Sequence, residues 1–196
     1  GDRKKNVIIT ICMGMMVFLT IDVVIEGMAF RDLKQAFWKF PKGENVVKVE
    51  VMPQQFAWNF RYAGLDGEFA TADDLIPTQN QMHIPVNTPV VIQIAPYDVI
   101  HSFFIPNFRV KVDATPGMVN TLWFQATETG EFEIACAELC GNSHYRMKGV
   151  LTVDSHEDYQ KWLSSQDEEG EPEEDDWGDE DEGVPTFWGW SWKEAI

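Results

Sequence analysis

The spacing of apolar and polar positions changes period along the chain, and each period predicts a different element. From Val7 to Ile25 nineteen consecutive residues are apolar apart from Thr10, Thr20 and Asp22. At 1.5 Å per residue this predicts a helix about 28 Å long, the thickness of a bilayer's hydrocarbon core. Arg3, Lys4 and Lys5 precede the run, which orients the N-terminal side to the cytoplasm and everything after Phe30 to the outside. A cleaved signal peptide is the rival reading. The run exceeds a typical h-region and no small-x-small cleavage site follows it, so residues 1–30 read as a retained transmembrane anchor. Asp22 and Glu26 share one helical face near its outer end, placed there either by the water interface or by a partner subunit.

Residues 31–45 mix charge with Phe37, Trp38 and Phe40, a composition suited to the headgroup layer, and read as a membrane-surface connector. From Val46 the period becomes two: Val47, Val49 and Val51 alternate with Lys48 and Glu50. Strands are predicted at 46–52, 55–62, 82–85, 89–95, 101–105, 108–112, 119–126, 131–136 and 148–153, with turns at Ala63–Gly67, Val86–Pro89, Thr115–Gly117 and Glu128–Gly130. Many short strands at this spacing predict a mainly β fold, an antiparallel Greek-key sandwich over 46–154, behind the membrane helix. Ser155-His156-Glu157-Asp158 fits a capping box, and Tyr159, Trp162 and Leu163 form a stripe, so a short helix is expected at 155–165.

Charge changes the picture only at the C-terminus. Twelve acidic residues and no basic one lie between Asp167 and Glu182, which leaves 20 acidic against 15 basic elsewhere. The body is mildly acidic, residues 166–196 form an acidic tail ending in Phe187-Trp188-Gly189-Trp190-Ser191-Trp192, and no basic patch points to nucleic acid. Such a tail cannot pack on its own, and its aromatic end is expected to dock on something.

The candidate chemistry is concentrated in Cys136-Ala-Glu-Leu-Cys140-Gly-Asn-Ser-His144-Tyr-Arg-Met147. Thiols, imidazole and thioether select copper or zinc over magnesium or calcium. Cys136, Cys140 and His144 are spaced by four with Met147 three further on, and Gly141 allows a tight backbone path around a centre. His101, on an earlier strand, supplies a second imidazole if the sandwich brings it alongside. Two cysteines, two histidines and a methionine exceed what one blue-copper ion uses, and both thiolates make sense for a pair of copper ions. Zinc held by Cys and His, or a Cys136–Cys140 disulfide, are the alternatives. Glu138 sits between the cysteines. Its backbone carbonyl is available to copper and its carboxylate to a hard cation such as magnesium. His83 and His156 have no sulfur neighbour and read as structural, and Cys12 as a packing residue of the span.

Three blocks together resemble cytochrome c oxidase subunit II: Asp98-Val99-Ile100-His101-Ser102-Phe103, Lys111-Val112-Asp113-Ala114-Thr115-Pro116-Gly117, and Cys136 through Met147. The resemblance covers roughly Val46 to Asp154 and a helix before it. It implies a cupredoxin domain with a mixed-valence dinuclear copper (CuA) centre. The two cysteines would bridge, His101 and His144 would be terminal ligands, and Met147 and the Glu138 carbonyl would be weak ones. The Glu138 carboxylate would reach a Mg2+ shared with subunit I. The implied role is electron transfer in the inner membrane, with the domain on the periplasmic side. Electrons would come from cytochrome c, steered by complementary charge, or from a haem subunit of a supercomplex tethered by the tail. They would pass to haem in subunit I, where oxygen reduction drives proton pumping among the other oxidase subunits.

The chain departs from the family at Gln55-Phe56-Ala57-Trp58, where the usual motif reads Gln-Trp-Tyr-Trp, so Phe56 or Trp58 is the expected point at which electrons enter. The family has two spans, and the one here resembles the second, so a preceding one is expected outside this chain. A nitrous oxide reductase module would need a large histidine-rich domain, which four histidines cannot furnish, and a quinol-oxidase subunit II would lack the cysteines.

Overall fold

The computed structural model describes residues 1–169 except 44, 65 and 72. The acidic run from Gly170 onward and the tryptophan-rich end therefore lie outside the described residues, and with them the expected docking and tethering roles of the tail. The chain divides into two units, residues 1–40 and the remainder.

In the first unit, helix α1 spans Asp2–Leu33 and continues as a π turn over Lys34–Trp38. It is, among the described residues, the one helix long and apolar enough to cross a membrane. The helix enters the stretch expected to be a connector because the chain offers no proline or glycine between Phe30 and Trp38, and it ends at Lys39, which is extended two residues before Pro41. Thr20 bonds back to the Met16 carbonyl at 2.7 Å, which satisfies its hydroxyl within the helix.

The second unit is a two-sheet sandwich. Its strands are β1 (Val47–Gln54), β2 (Ala57–Tyr62), β3 (Gln81–Pro85), β4 (Pro89–Ile94), β5 (His101–Ile105), β6 (Val110–Ala114), β7 (Asn120–Gln125), β8 (Gly130–Cys136) and β9 (Lys148–Asp154). One sheet has the order β2-β1-β4-β7 and the other β3-β9-β8-β5-β6. The sandwich is mixed rather than purely antiparallel: β1 runs parallel to β4 and β3 parallel to β9. Val86–Thr88 carry the chain straight from β3 in one sheet to β4 in the other, so β4 returns beside β1 in the same direction. Alternation reports which face a residue occupies and not which strand lies next to it, so the two parallel pairs left no trace in the pattern.

Strand β6 begins two residues later than expected. Pro106–Phe108 form a 3-10 turn closed by Arg109 in the left-handed conformation at φ 56°, and the ladder resumes only at Val110. After β9, helix α2 (His156–Glu169) runs four residues past its expected end. The Ser155 hydroxyl accepts the Asp158 amide at 3.1 Å as its cap.

Inward residues of both sheets, among them Val51, Trp58, Ile84, Ile92, Phe103, Ile134 and Leu151, are fully buried and form one core. The outer face of β1 is also covered. There Glu50, with no exposed surface, pairs with Arg61, which also lies 3.5 Å from Asp74 and under the ring of Phe69. Burial lifts the Glu50 carboxyl to about 7 against the pull of Arg61. At one end of the sandwich α2 docks through Trp162, which stacks on His83 at 4.6 Å and meets Tyr62 edge-on at 5.3 Å. His83 is further held by Asp154 at 2.8 Å. The other end of the same sheet carries the thiols.

Candidate metal centre

β5 opens on His101 and β8 closes on Cys136, and the antiparallel register Phe103↔Cys136 sets the two side by side. The chain then loops through Cys140, makes a 3-10 turn at His144–Arg146 and re-enters the sheet at Lys148. Backbone bonds close this loop: Cys136 N–H to the Met147 carbonyl at 3.2 Å, Ala137 N–H to Ser102 at 3.0 Å and His144 N–H to Gly141 at 3.1 Å. The ligand candidates are therefore held by a ladder on one side and by the loop's own bonds on the other.

All six expected donors come together. The two sulfurs lie 3.8 Å apart as free thiols. Cys136 Sγ has the Glu138 carbonyl oxygen at 3.2 Å and His101 Nδ1 at 3.9 Å. Cys140 Sγ has His144 Nδ1 at 3.6 Å and Met147 Sδ at 3.7 Å. Each sulfur thus sits beside one imidazole nitrogen and one weak donor, so the site has two similar halves sharing a pair of thiols. His101, Cys136 and Cys140 offer donor atoms all within 4.8 Å of one another. The Glu138 side chain is exposed, with only its carbonyl turned to the sulfur. Six donors in two matched sets exceed the four that a closed tetrahedral zinc site uses, and the set fits two soft metal ions.

Burial acts against the charged form of both thiols, but their surroundings differ. At Cys136 it is outweighed by hydrogen bonding with His101 and with the backbone of Ser102 and Glu138, and the thiol falls to about 6. At Cys140 burial and the neighbouring Cys136 charge act together and push it up to about 12. A cation bound by both sulfurs would require both as thiolates, so loading the site would release protons. His101 is raised: burial lowers it, but bonding to Cys136 and Asp98 prevails.

The surroundings of the ligands were not marked by the sequence. His101 Nε2–H donates to Asp98 Oδ1 at 2.8 Å, which leaves Nδ1 toward the sulfur. Gln55, in the β1–β2 turn, gives its backbone N–H to Asp98 Oδ2 at 2.7 Å and its amide to the Cys140 carbonyl at 2.6 Å. Asp98 opens the Asp98–Phe103 block and Gln55 the Gln55–Trp58 motif, and those were the available signals, though neither residue was given a role from them. Gly141 has φ +138°, and a Cβ there would lie 2.7 Å from Gln55 Nε2 and 3.0 Å from the Phe56 ring. Of the two aromatic candidates, Phe56 is half-buried against this loop. Trp58 is wholly buried, edge-on to Phe103 at 5.4 Å and to His101 at 6.4 Å.

Fold and donors together define a cupredoxin-like domain with a cysteine, histidine and methionine donor cluster, preceded in the chain by an apolar helix. Residues 47–154, more than half of the chain, match the family model for the periplasmic domain of cytochrome c oxidase subunit II. The chain belongs to that family, whose members bind copper as CuA. It is 35% identical over 143 residues to the alternative cytochrome c oxidase subunit 2 of Bradyrhizobium diazoefficiens, covering 62% of this chain and 52% of that one. It is 36% identical over 129 residues to cytochrome c oxidase subunit 2 of Alkalihalophilus pseudofirmus, covering 66% of this chain and 35% of that one. The chain thus spans about half or less of the length of these curated relatives. The crystal structure of the periplasmic domain of subunit II of cytochrome oxidase of Bradyrhizobium japonicum superposes with a TM-score of 0.56 at 30% identity, covering 67% of this chain and 99% of that one.

Proposed function

We propose that the domain holds a dinuclear copper centre that takes electrons from cytochrome c and passes them to haem in subunit I of a haem-copper oxidase. There, oxygen is reduced to water and protons are pumped. The observation that carries this reading is the doubled donor set: two thiols 3.8 Å apart, each with its own imidazole nitrogen and its own weak donor. Copper supplies one-electron chemistry when bound. Cys136, Cys140, His101, His144, Met147 and the Glu138 carbonyl would hold it, the thiols and imidazoles as the strong donors and the thioether and carbonyl as the weak ones. Fixed by sheet and loop, these groups move little when the charge changes, which favours fast electron transfer.

The same reading assigns the exposed Glu138 carboxylate to a Mg2+ shared with subunit I. It assigns the reception of electrons to Phe56, half-buried beside the Cys140 loop, or to Trp58, buried and edge-on to His101. Helix α1 anchors the domain to the inner membrane, with the basic residues at its start inside and the sandwich on the periplasmic side. Leu139 and Tyr145, beside Cys140 and His144, are 76% and 74% exposed and give the docking face an apolar centre.

Copper titration of the detergent-solubilised full chain tests the proposal. Two copper ions per chain, with an electron paramagnetic resonance spectrum split by both nuclei, is the expected result. A mononuclear spectrum, or uptake of zinc alone, refutes it.

A further inference from the structure

Asp98 is hydrogen-bonded to one candidate ligand, His101, and three bonds converge on its carboxylate. Oδ1 accepts His101 Nε2–H at 2.8 Å and the Val99 N–H at 2.6 Å, and Oδ2 accepts the Gln55 N–H at 2.7 Å. Gln55 belongs to the turn of the other sheet, and its side-chain amide reaches on to the Cys140 carbonyl at 2.6 Å. The bonds His101–Asp98–Gln55–Cys140 therefore run from one ligand-bearing segment to the other by way of the β1–β2 turn. They close the open end of the sandwich where no strand ladder does. Phe56 follows Gln55 directly, so the aromatic ring over Gly141 is carried by the same bracket.

We infer that Asp98 and Gln55 are positioning residues for the metal centre. Asp98 fixes the ring of His101 with Nδ1 toward Cys136, and Gln55 ties that ring to the backbone of Cys140 and to the aromatic contact outside. Because the bracket holds both halves of the donor set, it sets how far apart they stand before any metal arrives. Carboxylates that accept the second ring N–H of a ligand histidine orient the ring and raise its basicity, and their loss typically lowers metal affinity about 10–100-fold. This inference rests on the dicopper reading for its metal-binding consequence, but not for the bond to His101.

The test uses the full chain in detergent as wild type, D98A, D98N, Q55A and the surface control E131Q. In the metal-free chain labelled with 15N-histidine, wild type shows a slowly exchanging His101 Nε2–H resonance, and D98A loses it. On copper titration D98A binds about 10–100-fold more weakly. Its copper spectrum and midpoint potential shift as well. D98N keeps one oxygen for His101 and recovers part of the affinity. Q55A keeps the His101 resonance but shifts the spectrum, and E131Q matches wild type throughout.

A Nε2–H resonance that persists in D98A, or D98A copper binding and spectrum equal to wild type, overturns the inference. If D98A fails to fold, D98N and Q55A decide it, because a merely structural role would lower the melting temperature without moving the spectrum or potential of the loaded chain. A wild type that binds no copper but shows the protected resonance refutes the dicopper reading and leaves the bracket supported.

Discussion

Gly141 offers the sharpest test of how closely the β1–β2 turn presses on the cysteine loop. In G141A an L side chain must adopt φ +138°, which costs roughly 1–3 kcal/mol in a sparsely populated region. The new methyl also lies 2.7 Å from Gln55 Nε2 and 3.0 and 3.1 Å from two carbons of the Phe56 ring. Gln55 cannot swing aside freely, because its amide holds the Cys140 carbonyl at 2.6 Å and its backbone holds Asp98. Moving it forfeits a hydrogen bond worth about 1 kcal/mol net. Displacing Phe56 adds an overpacking penalty of similar size. Relaxation is shared among these effects, so the total is on the order of 3 kcal/mol rather than their sum. For a unit of this size that lowers the melting temperature by roughly 10 °C.

The assay is thermal unfolding of the metal-free chain followed by near-ultraviolet circular dichroism, with G117A as reference. Gly117 has φ +79° and nothing within 4 Å of a built Cβ, so G117A carries a positive-φ strain of its own without the contacts. G141A should exceed G117A, and on titration its copper spectrum should shift while that of G117A does not. Equal destabilisation of the two variants would refute the claim that Gln55 and Phe56 rest on the loop.

M147L preserves volume at a position with 1% exposure, so its stability should change by less than about 1.5 kcal/mol; its copper potential should nevertheless move, since it loses a weak donor, and an unmoved potential in voltammetry would reduce Met147 to packing. Glu50 is held near 7 against an ordinary 4.5, so the folded chain keeps a proton that the unfolded chain releases between those values. Stability contributed by that proton falls as pH rises through the window and is flat above it, by on the order of 3 kcal/mol in all. E50Q should remove this slope in denaturant titrations at pH 5 to 8, and parallel curves for both chains would contradict the assignment. W162A deletes the ring stacked on His83 and should cost about 2 kcal/mol, less than a fully buried tryptophan, while leaving the copper spectrum unchanged, since Asp154 beside His83 ends β9 and Met147 precedes its other end. A shifted spectrum would mean that the two ends of the sandwich are coupled.

What could be read from the chain and what could not divide along the line between local and distant bonding. Cys136, Glu138, Cys140, His144 and Met147 fall within twelve residues, so one loop conformation settles their relations, and spacing alone brought them forward. His101 is 35 residues from Cys136, yet the chemistry of an isolated imidazole at the start of an alternating strand was enough to nominate it. Gln55 is 43 residues from Asp98 and 85 from Cys140, and a glutamine in a turn carries no chemical mark of its own. The same limit hid the parallel pairs β1–β4 and β3–β9, since alternation specifies faces and leaves neighbours open. It also hid Glu50: a carboxylate alternating with valines reads as solvent-facing, and only the Arg61 and Asp74 packed over that face bury it. The donors of a metal loop are thus written close together, while the groups that hold the loop in place are contributed by another sheet. Substitutions at the donors should abolish metal binding, and substitutions at Asp98, Gln55 and Gly141 should retune it, because the first set supplies the bonds and the second sets the distances between them.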